Sequence, residues 1–195
     1  QRVLYSRRGP SGWVTEAVGA TKDVQSTIGL AVDEDQHVFV CHTDGNGALV
    51  VASNEAGSFS SQPVAPSAAS CDLARDERGR VHIAYGDGAE KNALWHGQRE
   101  SDGTWHLEQA TISATPAIAS VDLLVAGPRQ AQVVYYAGGS VVSTTNASGV
   151  WESLALASNG AAGTLGAAWK PRPGDVYPAG NAALVVAYGK TSQRV

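Results

Sequence analysis

The 195-residue sequence has no methionine, four lysines and only two cysteines, and these scarcities exclude several classes of protein. Cys41 and Cys71 make no C-x-x-C and have no zinc-ligand spacing around them, which argues against a redox motif or a structural zinc site. Two arrangements fit them: buried free thiols, since cysteine is among the most buried residue types, or one disulfide. Basic charge is also in short supply. With 14 Lys and Arg against 18 Asp and Glu, the net charge of −4 leaves no basic footprint, so nucleic acid is not an expected partner. No apolar run approaches the ~20 residues of a membrane-spanning helix, so no membrane span is expected. The chain opens at Gln1 without an initiator methionine or an apolar leader, as expected of a trimmed precursor, and a secreted or periplasmic location is favoured. Helical periodicity is nearly absent. So are G-x-S-x-G, a P-loop, a dinucleotide fingerprint and H-E-x-x-H.

What is present is a repeat. Trp13, Phe59, Trp105 and Trp151 each lie 46 positions after the last, in "PSGWVTEAV", "AGSFSSQPV", "SDGTWHLEQA" and "ASGVWESLAL". Four β-rich runs share that register: 37–42, 80–85, 131–136 and 183–188. Each follows an apolar run ("TIGLAVDED", "SCDLARDERG", "SVDLLVAGP", "TLGAAWKPRPG"). A third strand comes next ("GALVVASNE", "NALWHGQRE", "GSVVSTTN", "QRVLYSRRG"), and the aromatic segment closes the unit. The unit is therefore four antiparallel strands, A to D, of a size that suits a propeller blade. Residues 28–62, 70–109 and 120–155 each hold a complete set. The stretch 164–195 supplies A and B only, and 1–17 supplies C and D only. The expectation is one all-β domain over 1–195, a four-bladed β-propeller whose last blade is shared between the N- and C-termini. The chain would then close as a monomer, with no open sheet edge. The recurring ring packs between neighbouring sheets, where it can bury ~150–250 Å².

The run D-x-x-G-x-x-H-I-A-Y at Asp76–Tyr85, with "SDGTW" at 101–105, resembles the blades of bacterial sialidase-like propellers carrying Asp-box repeats. The resemblance implies the fold. Such enzymes also use an arginine triad, a tyrosine nucleophile and an acidic partner on six blades, and that set has no place in this sequence.

In a propeller, the D–A and B–C connections ring the central opening on one face. Aligning the repeats puts His42, Tyr85, Tyr136 and Tyr188 at the last position of the B strands. Thr27, Ser70, Ser120 and Thr164 fall at the first position of the A strands, and Gly29, Asp72, Asp122 and Gly166 two residues further in. Carboxylates in apolar strands are costly unless paired, hydrogen-bonded or wetted. The expected ligand contacts are Asp72, Asp122, Tyr85, Tyr136, Tyr188 and His42, supported by Thr27, Ser70, Ser120 and Thr164. Asp44 and Asp87, in polar loops beside the mouth, are further candidates. Flat tyrosine faces and acceptor oxygens suit a glycan or a partner's loop at the mouth, bound without catalysis. No cofactor is expected. Asp72 and Asp122 also have the chemistry for a bound cation in the channel. The competing readings are a glycoside hydrolase or lyase using those two aspartates ~5–9.5 Å apart, and a structural propeller with no ligand.

Overall fold

The computed structural model describes residues 1–21, 27–88, 93–112, 118–127, 130–158, 160–170 and 183–190, by backbone alone at 112, 160–165, 168–170 and 183–190. Among them every regular element is a strand. A hairpin of β1 (Arg2–Gly9) and β2 (Gly12–Ala20) comes first. Blade 1 is β3 (Gly29–Val32), β4 (Val38–Thr43), β5 (Leu49–Ser53) and β6 (Ser60–Ala65). Blade 2 is β7 (Ser70–Arg75), β8 (Val81–Gly86), β9 (Ala93–Arg99) and β10 (Trp105–Ile112). Blade 3 is β11 (Ser120–Gly127), β12 (Gln130–Ala137), β13 (Ser140–Thr145) and β14 (Glu152–Ser158). A second hairpin pairs β15 (Gly160–Lys170) with β16 (Ala183–Lys190). In every sheet the strands are antiparallel and lie side by side in chain order.

Local chemistry sets the turns. The Asp76 carboxylate accepts the backbone N–H groups of Arg78 and Arg80, both at 2.9 Å, and closes the β7–β8 hairpin as an Asx turn. In the β5–β6, β9–β10 and β13–β14 turns, a glycine two residues before the aromatic takes positive φ (Gly57 88°, Gly103 85°, Gly149 90°), a conformation that a Cβ disfavours. That requirement explains the glycine that recurs just ahead of each ring.

Three apolar clusters fill the spaces between sheets. Val3 and Val18 of the first hairpin meet Val38, Val40 and Ala52 of blade 1. Phe39, Cys41, Leu49 and Val51 of blade 1 meet Cys71, Leu73, Ile83 and Tyr85 of blade 2. Ala84, Leu94 and Ala110 of blade 2 meet Val121, Leu123 and Tyr135 of blade 3. Ile83 and Leu94 are wholly buried, each worth roughly 2–3 kcal/mol. Phe59, Trp105 and Trp151 pack against the first, second and third cluster in turn, so each ring faces the preceding sheet. Cys41 and Cys71 form a disulfide between β4 and β7, with Cα atoms 6.4 Å apart. Of the two arrangements expected for these cysteines, the bridge is the one adopted. Antiparallel A and B strands bring the two residues to one level of adjacent blades.

The two terminal hairpins stand apart. β1–β2 and β15–β16 form separate two-stranded sheets, and among the described residues they are not joined in a shared blade. Instead β2 packs on β5 and β6, while β15 packs on β11 and β12. Among the described residues the fold is propeller-like: three four-stranded blades, with a two-stranded sheet before them in the chain and another after.

Candidate functional site

The A strands bring Asp72 and Asp122 together, and their oxygens are committed to backbone. Asp72 Oδ2 accepts the N–H of Leu123 at 2.8 Å, and Asp122 Oδ2 accepts that of Ala167 at 2.6 Å. Each carboxylate thus latches one blade to the next at the same level. Burial pushes the Asp72 carboxyl up to about 7, and the neighbouring Asp122 charge adds to the rise. Asp122 is also raised by burial, while a hydrogen bond from Asp72 favours its ionised form. In its protonated form Asp72 is the donor to Asp122. Gly29 holds the equivalent place in β3, where a Cβ would lie 2.6 Å from both Asp72 Cα and Leu73 N. At this junction the backbones approach too closely for any side chain.

The other expected mouth residues lie mostly inside. Tyr85 is buried and stacks on Trp95 with ring centroids 6.3 Å apart, and burial pushes its hydroxyl up to about 12. His42 is buried with Nδ1 3.0 Å from the Thr43 carbonyl, and its Nε2 has no partner among the described residues. Thr27 Oγ1 accepts the Cys71 N–H at 2.8 Å, and Ser70 and Ser120 are buried. The side chains of Thr164 and Tyr188 lie outside the described residues. The strand register corrects one alignment. Asp72 pairs with Ala84 and Asp122 with Val134, so Tyr135, not Tyr136, is equivalent to Tyr85. Tyr135 is buried as Tyr85 is, and half-buried Tyr136 sits on the opposite face of β12. Asp44 caps its own turn through the N–H groups of Asn46 and Ala48, and Asp87 accepts the Ser67 hydroxyl at 3.1 Å.

A larger concavity lies elsewhere, in the cleft between blades 2 and 3. It has a volume of about 1050 Å³ and is lined by Arg78, Arg80, His96, Glu108, Asn146 and Trp151 among others. His96 and Glu108 of its lining continue inward as a row of polar side chains on one face of blade 2, through His82 of β8 to Asp76 in the β7–β8 turn. Asp76 is held by Arg80 Nε at 2.9 Å and lies 3.4 Å from His82 Nε2. His82 Nδ1 is 3.1 Å from His96 Nε2, and His96 Nδ1 is 3.0 Å from Glu108 Oε1. The equivalent positions in blade 1 are Asp33, Phe39, Val51 and Gln62, and in blade 3 Ala126, Gln132, Ser143 and Leu154. Only blade 2 carries the complete chain.

Burial sets the protonation of this row. It lowers the His82 pKa to about 4, helped by His96, and lowers that of His96 although Glu108 opposes the shift. Burial alone would raise the Asp76 pKa, but the N–H and guanidinium of Arg80 outweigh it and hold it low. Two neutral imidazoles bring two N–H protons to three contacts. One of the three contacts is therefore short of a proton, and the contact between His82 and Asp76 is the longest. At the cleft wall the Trp151 ring lies 5.4 Å from that of His96, and its buried Nε1–H has no partner among the described residues. Sequence reasoning missed this site because its histidines fall on different strands, and it is the sheet that brings them together.

Four-stranded antiparallel blades, packed side by side on successive innermost strands, define the class as a propeller-like all-β fold. No family model matches the sequence, and no curated protein does either. Among solved structures the chain is similar to a mutant of the Aleuria aurantia lectin AAL, solved in complex with Fucα1-6GlcNAc. The TM-score is 0.56 at 13% identity, over 83% of this chain and 59% of that one. The likeness extends to fold, and this chain spans less than two thirds of that lectin's length. The sialidase-like resemblance rests on the quoted residues alone. Among the described residues no helix is long and apolar enough to cross a membrane.

Proposed function

We propose that this chain is a non-catalytic glycan-binding module whose saccharide sits in the cleft between blades 2 and 3. The observation that carries the proposal is the meeting of the Trp151 ring and the His96–Glu108 pair on one wall of the cleft. A sugar offers C–H faces that pack on an indole and hydroxyls that both donate and accept. Glu108 accepts, Arg78 and Arg80 donate, and Asn146 does either. The similarity to a lectin supports this reading at the level of fold. The central mouth is a weaker candidate, because Asp72 and Asp122 spend oxygens on Leu123 and Ala167 and Tyr85 is buried.

A glycan array with the wild type, Trp151→Ala and Asp72→Asn/Asp122→Asn tests it. Binding that falls at least tenfold in the Trp151 variant, about 1.4 kcal/mol, and persists in the double variant is the expected result. Binding lost only in the double variant returns the ligand to the mouth. Glycan turnover by the wild type that disappears in the double variant would make the protein an enzyme.

A further inference from the structure

We infer that this chain assembles head to tail with a second copy of itself, the β15–β16 hairpin of one copy and the β1–β2 hairpin of the other forming one composite blade. The inference stands on positions that a neighbouring blade buries or partly covers at the interior junctions and that are open at the two ends. In the A strands, Cys71, Leu73, Val121 and Leu123 face the preceding blade and are 3–7% exposed. Their equivalents in blade 1, Ile28 just before β3 and Leu30 within it, are 53% and 50% exposed. Among the recurring rings, Phe59, Trp105 and Trp151 pack on the sheet before them, whereas Trp13 is 73% exposed. At the tail, the bulge residue of strand D faces the following sheet. Val18 and Ala110 are each 5% exposed there, but Leu156 is 39% exposed. These are the surfaces that a neighbouring blade would cover.

The missing halves are complementary. β15–β16 is an A–B pair and covers only the inner half of blade 3's outer face, leaving Leu154 and Leu156 open. β1–β2 is a C–D pair and covers only the outer half of blade 1, leaving Ile28 and Leu30 open. A second copy's β1–β2 hairpin laid beside β16 would seat its Trp13 over Leu154 and Leu156. The first copy's β15–β16 would then cover the second copy's Ile28 and Leu30. Blade 4 would be complete, and the junction would continue the interfaces already present between blades 1, 2 and 3. The contact is heterologous, with different patches on the two copies, so it builds rings or filaments and not twofold dimers.

Light scattering on the size-exclusion peak of the 195-residue chain tests the inference. The expected mass is at least twice 20.1 kDa. Leu30→Arg at the head and Leu156→Arg at the tail are each expected to run as monomers, the two positions being 50% and 39% exposed. An equimolar mixture of the two should recover a dimer, because each keeps one good end. A wild type that is monomeric at every concentration overturns the proposal, as does an assembly that survives both substitutions. Near-ultraviolet circular dichroism matching the wild type would show that the variants remain folded.

Discussion

At the scale of single residues, the molecule holds two protonation puzzles with opposite signs. The Asp72 carboxyl titrates well above its ordinary range, near 7. Its contribution to stability is therefore complete below the unfolded value, near pH 4, and is lost as pH rises through about 7. Asp72→Asn imitates the protonated form, accepting the Leu123 N–H and donating to Asp122. The variant should match the wild type near pH 4 and exceed it at pH 8 by roughly 1–2 kcal/mol, after discounting for solvent access. Urea melts at the two pH values would check this, and equal destabilisation at both would refute the raised Asp72 pKa. His82 runs the other way. Its pKa is depressed from 6.5 to about 4, so its share of stability is present above pH 6.5 and lost as pH falls toward 4. His82→Phe, which copies Phe39 of blade 1, should flatten the fall in melting temperature between pH 6.5 and 4. An unchanged slope would locate the acid sensitivity elsewhere.

At the scale of the element, each inner strand is fastened to the next, but by different means. β7 and β11 use carboxylates, while β3 uses the absence of a side chain at Gly29 together with the neighbouring disulfide. Gly29→Val places carbon where Asp72 Cα and Leu73 N already lie, and neither is the tip of a flexible side chain. The expected cost is about 2–3 kcal/mol, seen as a fall in melting temperature of roughly 6 °C, with the disulfide still formed. A neutral variant would show that β3 and β7 can part without consequence. The strands themselves were legible in the sequence, because a fixed period of rings after turn glycines survives changes elsewhere. Register was less legible. Two adjacent tyrosines in β12 and an irregular pairing at Val125/Gly127 make counting from the turn fail by one residue, and one residue exchanges the faces of a strand.

At the scale of the whole molecule, the partial sets at the two chain ends were legible as halves of one blade, but their relation was not. Sequence complementarity between 1–17 and 164–188 says that the halves fit. It does not say whether they belong to one copy, and Trp13 and Ile28, which a completed blade would cover, are exposed. The cleft was hidden for a similar reason. Asp76, His82, His96 and Glu108 are separated along the chain by whole strands and meet only across the width of blade 2. The Cys41–Cys71 bridge has a mechanical consequence. Under tension applied through the two termini, the hairpins and the junction between blades 2 and 3 are held by packing and hydrogen bonds alone. The stretch between the cysteines, separated by 30 positions, cannot lengthen at all. Stretching would therefore pull open the cleft between blades 2 and 3 before it parted the first two blades.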